Sequence, residues 1–280
     1  MDQRLDQLLL RVYEHHLKRV FEIIEREGVQ AVLLKGWSAA RFYDDPAERT
    51  PGDFDLMVSP DAPLRVDALF STERDILADI HRGPRHLDTL SFEELFARSE
   101  TIDLEGVPIR VLCPEDHLRV LCVHWLTDGG ERKERLWDIY WAVKNRPSAF
   151  DWDKCLGVVS ERRRRWIICT IGLAQKHLGL EIEDLPFAED ARDLPHWLTR
   201  AIEKRWEEGI PHLPLHHSIG NAALFAKQLR KRFPPNPVMA MIGMEGDIDA
   251  RTRIHYQIGY IFKQSVPSIR RMIPAIRRRF

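Results

Sequence analysis

Residues Val32–Val58, VLLKGWSAARFYDDPAERTPGDFDLMV, decide how the rest of the chain is read. Val32, Leu33 and Leu34 form a short apolar run closed by Lys35-Gly36, the pattern of a buried strand ending in a tight turn. Trp37 to Tyr43 holds helix formers and no breaker before Pro46, so a helix is expected there. Arg49, Pro51 and Gly52 mark a loop, and DFDLMV then reads as a second strand whose side chains alternate between two faces. Asp53 and Asp55 therefore share one face, while Phe54 and Leu56 pack on the other. Carboxylates at i, i+2 repel unless solvated, protonated or bridged by cations. No arginine stands beside them on the strand, so a hard divalent metal is the expected neutraliser.

Upstream, residues 2 to 27 read as one amphipathic helix with Leu5, Leu9, Val12, Leu17, Val20, Phe21 and Ile24 along its stripe, ended by Gly28. His15 and His16 fall on its surface or boundary. Downstream, Ser59-Pro60-Asp61 opens a helix carrying Leu64, Ala68 and Leu69. Asp75 to Arg82 reads as a strand stopped by Gly83-Pro84, with Asp79 and His81 on one face. Ser91 and Glu94 form a capping box for a helix over 91–98. Residues 101–104 and 107–112 flank Glu105-Gly106 as a hairpin.

The texture changes at Pro114. From there helical spacing recurs over 133–145, 151–178, 197–208, 217–232 and 248–263, with no convincing strand. The expected fold class is α+β. A small mixed-sheet domain over residues 1–112, opened by the N-terminal helix, precedes an all-helical region over 113–280. The Arg162 to Arg165 run reads as a solvated helix face, and His124 with Asp138 as a polar pair across a helical hairpin.

The chain has 280 residues, 44% of them hydrophobic, and a formal charge of −1. That balance gives no global argument for nucleic acid. Charge is uneven, since Arg251 to Phe280 holds eight Lys/Arg and no Asp/Glu. The four cysteines form no C-x-x-C pair, which leaves zinc and redox motifs unsupported. A charged N-terminus and the lack of a span-length apolar run make a reduced cytoplasmic protein the expectation.

A glycine turn opening a helix, followed by D-x-D on a strand, resembles the nucleotidyltransferase superfamily of the DNA polymerase β type. The form LLKGWSAARFY with R-x-x-G-D-F-D-L-x-V is most similar to a bacterial family that carries Lys-Gly where the superfamily usually has Gly-Ser. The likeness covers roughly residues 30 to 125. It implies transfer of a nucleoside monophosphate from an NTP donor to an acceptor hydroxyl or phosphate, through two Mg²⁺ ions or Mn²⁺. Asp53 and Asp55 would hold the metals. Asp79 would supply the third carboxylate and help deprotonate the acceptor, with Asp88 as the alternative. Lys35, Gly36, Ser38 and Arg49 are the candidate phosphate-binding residues, although Trp37 stands where a Gly-Ser turn would have its serine. His81 is a candidate to orient Asp79 or to touch the acceptor. The acceptor, whether small molecule, peptide, protein or RNA, is not named by these residues.

Two rival functions follow from the same chain. One is a catalytically idle nucleotide-binding or regulatory protein on this fold. The other is a module binding anionic surfaces through the basic C-terminus, SIRRMIPAIRRRF.

Overall fold

Helix α1 (Gln3–Arg26) buries only its later turns. Tyr13, Leu17, Val20, Phe21 and Ile24 recur at three- and four-residue spacing and are buried, while Leu5, Leu8, Leu9 and Val12 stay exposed. Gly28, at φ 63°, and the Val29 N–H bonded to Ile24 O at 3.0 Å close the helix. The structure, a computed structural model, describes residues 3–49, 52–63, 66, 69, 78–84, 89–209 and 221–264.

Strands β1 (Ala31–Leu33), β2 (Phe54–Val58), β3 (Ala78–Arg82), β4 (Glu100–Leu104) and β5 (Val107–Val111) form one mixed sheet in the order β3-β2-β1-β5-β4. β1 runs antiparallel to β2 and parallel to β5, β2 is parallel to β3, and β4 with β5 is the expected hairpin. The two-residue period sorts the side chains. Leu33, Phe54, Leu56, Val58, Ile109 and Val111 pack with α1. Val32, Leu34, Met57 and Leu112 pack on the opposite side with Phe92 and Leu95 of helix α3 (Phe92–Arg98). Ser91 caps α3 through the full reciprocal box with Glu94.

Helix α2 (Trp37–Ala40) is shorter than the Trp37–Tyr43 expectation. Phe42 N–H and Tyr43 N–H bond back only three residues, to Ala39 O and Ala40 O, so the chain leaves the helix in a turn. That turn sends Phe42 into the helical core and the Tyr43 hydroxyl onto Asp138.

Helix α4 (Pro114–Thr127) follows, with Pro114 in its first turn. It is buried nearly all round because Val120 meets the sheet-side cluster while Leu118, Leu121, Cys122 and Trp125 join the helical core. Asp116, fully buried on it, is ion-paired with Arg98 and Arg119, each at 2.7 Å. The following helices are α5 (Leu136–Lys144), α6 (Trp152–Leu156), α7 (Glu161–Leu178), α8 (Ala188–Arg192), α9 (His196–Glu208), α10 (Ala222–Arg232), α11 (Pro237–Gly243) and α12 over 254–264. Residues 151–178 are two helices rather than one, because Gly157 ends α6 and Ser160 caps α7. Nor is the arginine run simply solvated: Arg163 is buried, with a bond to Glu245, and Arg165 pairs with Asp249.

Among the described residues no strand follows Val111, and the chain adopts the α+β architecture expected of it. Asp88, residues 75–77 of the expected β3 strand, Leu64, Ala68, and the tail from Ser265 lie outside the described residues.

Candidate functional site

Helix α1 anchors both the residue that opens the D-x-D strand and the first residue of α2. The Tyr13 hydroxyl donates to Asp53 O at 3.3 Å, and Trp37 Nε1 donates to Glu14 Oε1 at 3.1 Å. Between these anchors Gly36 turns with φ 70° and ψ −118°. A side chain there would be strained by the backbone, and a Cβ would lie 3.3 Å from Tyr13 Oη and 3.6 Å from Asp53 O.

Parallel pairing of β2 with β3 places Asp55 opposite Asp79 and Met57 opposite His81. His81 Nε2 lies 3.2 Å from Asp55 Oδ1 and 3.3 Å from Asp79 Oδ2. Asp55 is buried whereas the Asp79 side chain is 61% exposed. One ligand atom from each of Asp55, Asp79 and His81 lies within 4.8 Å of the others, a grouping able to hold a metal ion. The donors are two carboxylates and an imidazole, a set suited to Mg²⁺ through its oxygens and to Mn²⁺ through all three.

Besides the divalent metal expected there, Lys35 supplies a neutralising charge to Asp55. Its ammonium sits 2.9 Å from Asp55 Oδ1 and 3.1 Å from His124 Nε2. Burial works to raise the Asp55 pKa, but the His81 hydrogen bond and the Lys35 charge outweigh it and hold the carboxyl below its usual range. His124, in turn, is driven down to about 3 by burial and by the adjacent Lys35 charge. It also faces Asp128 Oδ2 at 3.4 Å. A chain of polar contacts thus runs from Asp79 through His81, Asp55, Lys35 and His124 to Asp128.

Lys35, Gly36, Arg49, Asp53, Asp55 and Asp79 all line one cavity of about 950 Å³. Ser38 does not. It is fully buried, its hydroxyl donating to Lys35 O at 3.2 Å and lying 3.5 Å from His117 Nε2. Arg49 is buried and committed to Asp138, with Nε at 2.8 Å from Oδ1 and Nη2 at 3.1 Å from Oδ2. The Tyr43 hydroxyl donates to the same Oδ1 at 2.7 Å. Burial opposes the charge of Arg49, but Asp138 more than offsets it and raises the guanidinium pKa. Asp138 therefore pairs with Arg49 and not with His124.

The cavity wall facing the carboxylates comes from the helical region. His124, Asp128, Arg132, Arg135, Arg205 and Trp206 line it, and sequence reasoning had not gathered them. The His124 and Asp128 spacing of i, i+4 on one helix was the available signal; the arginines carried none. Among the described residues no helix is long and apolar enough to cross a membrane.

Compared with known families, residues 7–79 and 69–179 match the family model described as "Uncharacterised nucleotidyltransferase". No curated protein matches the chain. Among solved structures, an antigenic nucleotidyltransferase-like protein from Paracoccidioides brasiliensis aligns with 65% of this chain and 93% of its own. Its identity is 13% and its TM-score 0.48.

Proposed function

Because the chain belongs to the uncharacterised nucleotidyltransferase family, we propose that it moves a nucleoside monophosphate from an NTP to the hydroxyl or phosphate of an acceptor. The observation that carries this reading is the grouping of Asp55, Asp79 and His81, whose two carboxylates line one cavity with Asp53 and the Gly36 turn. Asp55 and Asp79 would hold one Mg²⁺ or Mn²⁺, and Asp53 with Asp55 a second. Bound there, the ions would neutralise the triphosphate and acidify an acceptor hydroxyl.

The remaining work falls to the chain itself. Lys35, joined to Asp55 by a single contact, would reach a phosphate oxygen of the bound donor. Gly36 lets the triphosphate approach the backbone, and Ser38 holds that turn through its bond to Lys35 O. Arg49 keeps the loop before Asp53 in place through its ion pair with Asp138. Asp79 takes the proton of the acceptor hydroxyl, with His81 fixing its orientation. The acceptor oxygen then bonds to the α-phosphorus. The bond to the β-phosphate oxygen breaks, and pyrophosphate leaves with its electron pair. In this scheme residues 1–112 handle the triphosphate and metal, and residues 113–280 present the acceptor through the wall containing Arg132 and Arg205. Four buried free cysteines suit a reducing compartment such as the cytoplasm.

The test is incubation with labelled ATP, CTP, GTP or UTP, Mg²⁺ or Mn²⁺, and a metabolite pool, read by mass spectrometry. A metal-dependent mass gain of one NMP on an acceptor, absent with Asp55→Asn, is the expected result. NTP binding without any gain would instead favour the idle nucleotide-binding protein. Binding only to heparin or anionic lipid would favour the basic-tail module.

A further inference from the structure

A second cavity, of about 520 Å³, adjoins the first and shares Arg49, Glu134 and Arg135 with it. Its volume falls in the range typical of small-molecule sites, about 300–1,000 Å³. Trp137 and Trp141 line it, with ring centroids 6.3 Å apart and planes 30° from parallel. Trp137 is 38% exposed, unusual for so large a ring packed edge-on against Tyr140 at 4.8 Å. Tyr43 continues the aromatic lining, 5.8 Å from Trp141.

Charge selects the occupant. The lining carries both signs, Arg135 beside Glu48 and Glu134, with Arg49 already paired to Asp138. A free phosphate would meet two carboxylates there, and an ammonium would meet the Arg135 guanidinium. A neutral, flat heterocycle with both donors and acceptors sets no charge against either sign, and its faces suit indole. The three shared residues set the two cavities side by side, within the reach of one nucleotide.

We infer that this second cavity is the nucleobase subsite, in which the base of an NTP stacks on Trp137 while its phosphates lie in the carboxylate cavity. The inference rests on the donor reading given above and extends it. Glu48 and Glu134 accept hydrogen bonds from exocyclic amino groups, so adenine, guanine and cytosine are preferred over uracil.

Calorimetry with Mg²⁺ separates the parts of the ligand, using ATP, UTP and inorganic tripolyphosphate as probes. Trp137→Ala should weaken ATP binding about tenfold or more while leaving tripolyphosphate affinity unchanged. Trp137→Phe should restore most of the loss, and Glu134→Gln should narrow the difference between ATP and UTP. Unchanged ATP affinity in Trp137→Ala, or an equal loss for ATP and tripolyphosphate, would overturn the subsite while leaving the donor reading intact. A wild-type chain that binds neither probe would overturn both.

Discussion

Two buried carboxylates line the same cavity and differ in how they are held. Asp55 meets Lys35 at 2.9 Å and His81 at 3.2 Å, each through a single nitrogen. Asp138 is gripped by the two-point fork of Arg49 and by the Tyr43 hydroxyl. Burial is similar, with side chains 9% and 4% exposed. Exchangeability is not. Single-atom contacts from a flexible ammonium and an imidazole can be surrendered one at a time, whereas a planar fork holds its carboxylate in a fixed geometry. The first arrangement suits a ligand that changes partners during a reaction; the second suits an anchor between the loop before β2 and helix α5.

The largest effect should come from breaking the exchangeable centre. Asp55→Asn or Asp79→Asn should lower transfer by about ten-thousandfold, roughly 5 kcal/mol of barrier. Asp55→Asn should also cost about 1–3 kcal/mol of stability, because Lys35 keeps its charge and loses its carboxylate. Relief of repulsion between Asp53 and Asp55, taken alone, would predict a slight gain in stability. The Lys35 contact reverses that expectation. Asp53→Asn, at an exposed side chain, should leave stability unchanged. Urea titrations of the two variants check this, and equal stability losses at 53 and 55 would erase the contrast between partnered and unpartnered carboxylates.

Next in size is the anchor. Asp138→Asn should destabilise the fold by about 3–5 kcal/mol, since Arg49 is left buried with its charge uncompensated. The double variant Arg49→Met with Asp138→Leu should lose less than the sum of the single changes in chemical denaturation. If Asp138→Asn proves as mild as a surface change, the fork is not the anchor described.

The smallest expected effect is a pH dependence. His124 is held down to about 3 beside Lys35, against an ordinary value of 6.5. Between those values the unfolded chain binds a proton that the folded chain refuses. The contribution of neutral His124 is complete above about pH 6.5 and is lost as pH falls toward 3. His117, fully buried and also shifted well below its ordinary range, adds in the same direction. The slope should not exceed about 1.4 kcal/mol per pH unit for each histidine, and partial exposure of His124 reduces its share. Asp55, depressed in its turn, stays ionised over most of that window. His124→Gln should flatten the stability–pH curve, and an unaltered slope would uncouple this histidine from the Lys35 centre.

The sequence by itself determined whatever depends on neighbours in the chain. Asp53 and Asp55 share a face because a strand repeats every two residues. Gly36 turns because it lacks a Cβ, Ser91 caps because Glu94 reaches back one helical turn, and Glu105-Gly106 closes a hairpin. Period put Asp79 on a strand, and only the family resemblance implied that this strand lies beside the D-x-D strand. Tertiary structure alone decided the partners. Lys35 and His124 are 89 residues apart, as are Arg49 and Asp138, and no local pattern encodes either meeting. The same holds for the Arg132, Arg135 and Arg205 wall and for the aromatic cavity beside it. The reason is physical: periodicity fixes the direction of a side chain relative to its own element, whereas the charge it meets is fixed only when separate elements pack.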